Sequence, residues 1–254
     1  ARDPPAEAAR SAVGPAVNEG PLPRARLGAY ATLALPLAMA ALPVYVYVPK
    51  LYADNLGLSL VTIGTILLAA RLLDAFQDPL LGWWSDRHAG VPDGRSRFIV
   101  AAIPMLALGL LCLFHPPAVR GLWLGTWLTA CLLVAYLGFS MAAISYFAIG
   151  AELTTDYHER TRVTATRGAF GVAGVLIAAA LPEMLAPAAT SEFGAGRDLG
   201  EGLRRFSLAY VPILLIGAGL MLFCSPTAGS TRSSSAPSRK SLPQALAAPL
   251  ASAG

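Results

Sequence analysis

The placement of charge constrains this chain more than any other feature. Six apolar runs, at residues 27–49, 57–84, 98–116, 121–150, 168–188 and 206–225, are each long enough to cross about 30 Å of hydrocarbon as a helix. A water-soluble fold would have to hide all six at once. The polar surface for that is lacking, because 13% of the 254 residues are charged, about half the complement of a soluble domain. The reading is an all-α membrane protein with six transmembrane helices. Cys112, Cys131 and Cys224 lie within the apolar runs as small hydrophobes, and no CxxC or HExxH spacing marks a redox pair or metal centre. No GxxxxGK(S/T) loop is present to cradle ATP, and no cofactor is expected.

The loops set the orientation. With both termini cytoplasmic, that side holds Arg2, Arg10, Arg24, Arg26, Arg87, Arg95, Arg97, Arg160, Arg162, Arg167, Arg232, Arg239 and Lys240, against Lys50, Arg120, Arg197, Arg204 and Arg205 outside. Such a bias marks cytoplasmic loops, here of a bacterial inner membrane. The net charge of +4 is spread over these loops, so it reads as topology in lipid and not as a nucleic-acid face. Residues 1–26 are rich in Ala, Pro and charge and read as a disordered cytoplasmic arm. They are not a secretory signal, which needs an apolar core soon after its basic start. Residues 27–225 form the bundle. Residues 226–254 turn to Ser, Pro and Ala and read as a cytoplasmic linker, such as the central loop of a longer carrier.

One run carries charge in its middle: Arg71-Leu-Leu-Asp74-Ala-Phe-Gln-Asp78-Pro79-Leu-Leu-Gly82. Spacings of three and four put Arg71, Asp74 and Asp78 on one helical face. Each costs about 2.5–3.5 kcal/mol at the centre of a membrane helix, so the stripe must face an aqueous cavity or its own partners. One arginine neutralises one carboxylate and leaves one negative charge over. A proton or a bound cation such as sodium would remove it, and two carboxylates a turn apart offer hard oxygen ligands. The alternative is an Arg71–Asp74 pair that only orders the bundle, with Asp78 capping or meeting Arg167. Pro79 frees the carbonyl of Ala75, either as a further ligand or for a neighbouring hydroxyl.

These residues, preceded by Tyr52-Ala-Asp54-Asn-Leu-Gly57-Leu-Ser and followed by Trp-Trp-Ser-Asp86-Arg87, resemble the glycoside–pentoside–hexuronide:cation symporters. That family is the melibiose-carrier-like branch of the major facilitator superfamily. The stretch Gly150-Ala-Glu152-Leu-Thr-Thr-Asp156-Tyr157-His-Glu159-Arg160-Thr-Arg162 resembles its loop between helices four and five. The resemblance covers roughly 27–225 and implies the N-terminal half of a two-half fold, with the solute path between the halves. The missing partner is then a C-terminal six-helix half or a second copy. Asp74 and Asp78 are implied as the cation site, and Arg71 and Arg167 as cavity-lining residues. Gly82, Asp86, Arg87 and Arg95 are implied as a gating loop against the second half, joined by Glu152, Asp156 and Arg160 of the second motif. Tyr146 is a candidate for solute contact. Melibiose-type members carry sugar-binding acids in helices one and four, yet 27–49 and Ser140-Met-Ala-Ala143-Ile-Ser145-Tyr146 hold none. Sugar is therefore implied by the family and not by these residues.

Plainer readings stand beside several of these. Asp156 followed by Glu159 can simply start a helix. Asp86 and Arg87 can be solvated loop charge. Gly168, Gly171 and Gly174 read as a close helix-packing seam, and Tyr45, Tyr47, Trp83, Trp84, Trp123 and Trp127 as interfacial anchors. Gly138-Phe139-Ser140 invites comparison with rhomboid-like hydrolases, but Met141 replaces the glycine of their GxSG pattern. The run 206–225 also has no histidine to act as base, so no enzyme is expected. The resulting expectation is a secondary transporter that couples sodium or protons to entry of a small solute, a sugar or glycoside. The competing expectation is a membrane scaffold made from a carrier half without transport activity.

Overall fold

In the computed structural model, which describes residues 22–88, 94–154, 156–191 and 194–224, six helices are long and apolar enough to cross a membrane. They are α1 (Arg24–Asn55), α2 (Leu60–His88), α3 (Gly94–Phe114), α4 (Leu122–Glu152), α5 (Tyr157–Leu185) and α6 (Leu199–Cys224). A short antiparallel hairpin joins α5 to α6, with β1 (Ala188–Ser191) paired to β2 (Gly194–Arg197) in the register Ala188↔Arg197. The expected arm lies outside the described residues up to position 21, as does the expected linker 226–254.

The ends of the helices follow local chemistry more than hydropathy. Gly57, at φ +71°, stops α1, with Leu58 N–H donating to the Tyr52 carbonyl at 2.9 Å. Ser59 Oγ then caps α2 by accepting the Thr62 N–H at 3.1 Å, so this helix starts three residues after the apolar run. Asp156 Oδ1 accepts the His158 N–H at 2.9 Å and starts α5 well before residue 168. Glu159 does not close the reciprocal half of a capping box. It is buried and accepts the Leu22 N–H at 3.2 Å, which ties the entrance of α1 to α5. As a result Arg160, Arg162 and Arg167, assigned to loops by the apolar boundaries, are helical, and so are Arg204 and Arg205 of α6. The hydrophobic signal marks the hydrocarbon, whereas these helices run on into the polar layer.

The first helix is continuous but irregular. Pro43 has no N–H to donate, and its ring crowds the preceding turn, so the ladder slips to π-helical turns at Pro43–Tyr47 and again at Leu51–Asn55. Val48 N–H accordingly reaches back five residues to the Pro43 carbonyl.

The six helices interlock as two sets of three. α1 packs on α5 and α6, α4 packs on α2 and α3, and α3 meets α6. The first helix of each set is thus clasped by the last two helices of the other set, the arrangement of an inverted repeat. Small residues permit the closest approaches. A Cβ on Gly138 would stand 2.6 Å from Leu106 N, and one on Gly109 2.7 Å from Ala135, where α3 and α4 cross. Within the expected glycine seam, a Cβ on Gly174 would collide with the Leu35 carbonyl of α1, whereas Gly168 faces open space. Leu33, Met39, Ile99, Leu106, Leu128 and Phe206 fill the interior. α2 and α5 leave most of their surface outside it: Leu72, Phe76 and Leu80 on α2 and Val172, Leu176 and Met184 on α5 are exposed.

Candidate solute and cation site

Asp74 is the central residue of the 29 in α2, and the bundle encloses it to 4% exposure. Its carboxylate accepts from three side chains. Arg71 Nη1 donates to Oδ2 at 2.7 Å, while Gln77 Nε2 and Ser140 Oγ each donate to Oδ1 at 3.0 Å. Arg71 and Gln77 follow from spacing along α2, but Ser140 arrives from α4. It does so because α2 and α4 run parallel here, with Ile66 beside Gly125 at one level and Asp74 beside Ser140 at the next. Arg71 keeps 61% of its side chain exposed and stands 6.0 Å from the Tyr45 ring of α1. The Tyr136 phenol lies among Tyr45, Arg71 and Asp74 with its hydroxyl buried.

Asp78, one turn on, differs sharply. Its Oδ1 is buried and accepts no hydrogen bond. It does not meet Arg167, as one reading of the sequence allowed. Pro79 lies inside the continuous α2 and removes the N–H that would have occupied the Ala75 carbonyl. A buried carboxyl oxygen with no donor among the described residues is therefore carried three residues after a backbone carbonyl that Pro79 leaves without its usual donor. Both are ligands for a hard cation, and the oxygen is also a seat for a proton. Among the described residues, no three His, Cys, Asp or Glu side chains come together as a metal centre.

Arg167 stands elsewhere, in the third turn of α5. Its guanidinium lies 4.5 Å from the Phe147 ring and close to Tyr30 and Tyr146, and it makes no ion pair among the described residues. Tyr30 and Tyr146 stack with centroids 4.5 Å apart, and the Tyr30 hydroxyl donates to the Tyr146 carbonyl at 3.3 Å. Gly150 makes room for it, since a Cβ there would strike the Tyr30 hydroxyl. The Tyr146 hydroxyl is buried beside Tyr30, and Ser145 Oγ is buried with no partner among the described residues.

The residues implied as a gate gather around Arg95 where α2 and α4 end and α3 begins. Arg95 Nη1 pairs with Glu152 Oε1, and Nη2 lies 3.5 Å from Asp86 Oδ1, so one guanidinium ties three helices. Arg87 is apart from this network, 5.4 Å over the Trp83 ring. Arg160 Nε donates to the Thr154 carbonyl at 3.1 Å and Asp156 caps α5, while Gly82 has open space around it. A cavity of about 240 Å³ lined by Lys50, Asn55, Asp198 and Leu203 lies between the end of α1 and the start of α6, remote from all three clusters.

Sequence reasoning did not pick out Ser140, Gln77, Tyr45 or Tyr136 as members of the site. Gln77 lay within the charged motif at i+3 from Asp74 and was legible there. The other three are brought to Asp74 by packing between helices, for which spacing along one helix holds no signal.

Comparison with known proteins agrees with this architecture. The family described as MFS/sugar transport protein matches residues 29–247, and the chain belongs to it. That family is one of membrane transport proteins and not of enzymes, and the six long apolar helices fit it. The uncharacterized symporter YnaJ of Bacillus subtilis is 29% identical over 70% of this chain and 37% of its own length. The isoprimeverose transporter of Lactiplantibacillus pentosus is 31% identical over 52% of this chain and 27% of its own. The putative glycoside/cation symporter YagG of Escherichia coli is 32% identical over 49% of this chain and 27% of its own. This chain thus spans about a third of the length of the relatives it matches.

Proposed function

We propose that this member of the sugar-transport family is the N-terminal half of a cation-coupled symporter for a small, sugar-like solute. The observation that carries the reading is the inequality of the two acids on α2. Asp74 is fully used by Arg71, Gln77 and Ser140, whereas Asp78 keeps a buried oxygen with no donor. The coupling ion, sodium or a proton, binds at Asp78, with Asp74 holding α2 to α4 as the rigid floor of that site. Binding removes the uncompensated charge from the membrane interior and lets the loaded carrier reorient. The names of the relatives support a solute of the glycoside or pentoside kind.

The positive bias of the loops favours cytoplasmic termini in a bacterial inner membrane. The Arg95 network then lies on the cytoplasmic side, where Asp86 and Glu152 hold α2, α3 and α4 together and present Arg87, Asp156 and Arg160 towards a second half. The exposed faces of α2 and α5 are the surfaces a C-terminal half, or a second copy, would cover.

The test is uptake driven by an imposed sodium or proton gradient in vesicles that contain the complete polypeptide carrying this sequence. Asp78→Asn is expected to lower gradient-driven uptake by at least about 100-fold while leaving the helices folded; unchanged coupling in that variant removes the assignment.

A further inference from the structure

Two free thiols that the chain presents as separate small hydrophobes are brought to one place by the fold. Cys112 stands two residues before the end of α3, and Cys131 lies in the third turn of α4, 19 positions further along the sequence. The two helices run antiparallel, and each step of three along α3 is met by a step of three back along α4. Leu106 lies on Gly138, and Gly109 lies on Ala135. The next step sets Cys112 level with Leu132 and its neighbour Cys131. The Trp127 indole N–H fixes that level by donating to the Cys112 carbonyl at 3.1 Å. The two thiols lie next to each other, and the buried Tyr52 phenol is close to both.

Paired thiols can close on a metal or on each other, and the surroundings choose between these. Among the described residues no third His, Cys, Asp or Glu joins the pair, so the four ligands of a zinc centre are not gathered there. Two thiolates on a monovalent soft ion would leave a net negative charge in an apolar layer, which is costly. A disulfide leaves none. It needs Cα atoms within about 7 Å of each other, and one turn away Gly109 and Gly138 let α3 and α4 come closer than side chains at that seam would allow. We infer that Cys112 and Cys131 form a disulfide that staples the end of the α3–α4 hairpin, made by exchange with a soluble disulfide on the face that the loop charges favour as external. Cys112 is partly exposed and reacts first. Its sulfur bonds to one sulfur of the oxidant, the oxidant's S–S bond breaks, and the other half leaves as a thiol carrying the Cys112 proton. The buried Cys131 then attacks the Cys112 sulfur, and the second half leaves as a thiol carrying the Cys131 proton. Two protein thiols are thereby oxidised and one disulfide is reduced to two thiols.

The test is peptide mapping of the complete polypeptide carrying this sequence, from membranes whose free thiols are blocked with N-ethylmaleimide at lysis. Arg120 lies between the two cysteines, so trypsin releases them in the separate segments 98–120 and 121–160. The expected result is one linked species, two hydrogens lighter than the sum of the two peptides, that separates on reduction. In oxidised glutathione, Cys131→Ser is expected to keep a glutathione adduct on Cys112, and Cys112→Ser to leave Cys131 unmodified. The linked chain should also unfold about 5 °C higher than its reduced form. N-ethylmaleimide on both cysteines of the wild type, a link from either one to a different cysteine, or equal unfolding midpoints for the linked and reduced chains overturns the inference. The mapping of the wild type needs no variant to fold, and none of these outcomes bears on Asp78 or on the coupling ion.

Discussion

Two arginines sit at matching positions, counted from opposite membrane faces, in the equivalent helices of the two three-helix sets, and their surroundings differ. Arg71 and Arg167 are the twelfth and eleventh residues of α2 and α5, and each lies over an aromatic ring, Tyr45 in one case and Phe147 in the other. Around Arg71 the charge is matched: Asp74 accepts from it and from two further side chains. Around Arg167 stand the rings of Phe147, Tyr30 and Tyr146, and it forms no ion pair among the described residues. The first cluster is therefore built to hold two helices in register. The second leaves its guanidinium against aromatic faces with no acid paired to it among the described residues. A satisfied polar network contributes to stability and leaves little for a ligand to gain, whereas an unsatisfied one waits for a partner.

This contrast can be broken or sharpened by measuring stability in detergent, through the midpoint of denaturation by sodium dodecyl sulfate. The largest loss is expected for Asp74→Ala, about 3 kcal/mol, because three donors lose one acceptor while the exposed guanidinium of Arg71 can turn to water. A loss below about 1 kcal/mol there would mean that the Asp74 cluster is not structural. Next comes Gly174→Val at about 2 kcal/mol, since its side chain would press on the Leu35 carbonyl and part α5 from α1. Ser140→Ala removes one hydrogen bond to a charged group and should cost about 1.5 kcal/mol, with the helix pair otherwise intact. The smallest effect belongs to Arg167→Gln, under about 1 kcal/mol, as a cation–π contact and a polar contact with Tyr30 are lost but no ion pair is. Should Arg167→Gln match Asp74→Ala, the two arginines would be equivalent structural residues and the contrast would fail.

Much of the fold was legible in the chain, and the site was legible in part. The six spans were readable because transfer into hydrocarbon is close to additive along a helix. The stripe of Arg71, Asp74 and Asp78 was readable because helical period is a local property. The Asp156 cap was readable for the same reason. Helix starts were less so: α5 and α6 extend into polar layers that hydropathy treats as loop, and the π-helical turns of α1 arise from prolines whose effect depends on how the next turn repairs its ladder. Ser140 shows the limit. In the sequence it belonged to a motif resembling a hydrolase nucleophile, and in the fold it is a donor to Asp74.

What the sequence determined by itself is therefore a set of six membrane helices, one of them with three charges on a single face. These follow from interactions within a turn or from single-residue partition into lipid, and no tertiary contact is needed to establish them. What only the tertiary structure decided is which charge is satisfied. Parallel packing of α2 on α4 delivers Ser140 to Asp74 and not to Asp78, and packing of α5 against both α1 and α4 sets Arg167 among Tyr30, Tyr146 and Phe147 and unpaired with any described acid. Pairing across helices depends on surfaces that meet from distant parts of the chain, and a one-dimensional period does not encode where they meet.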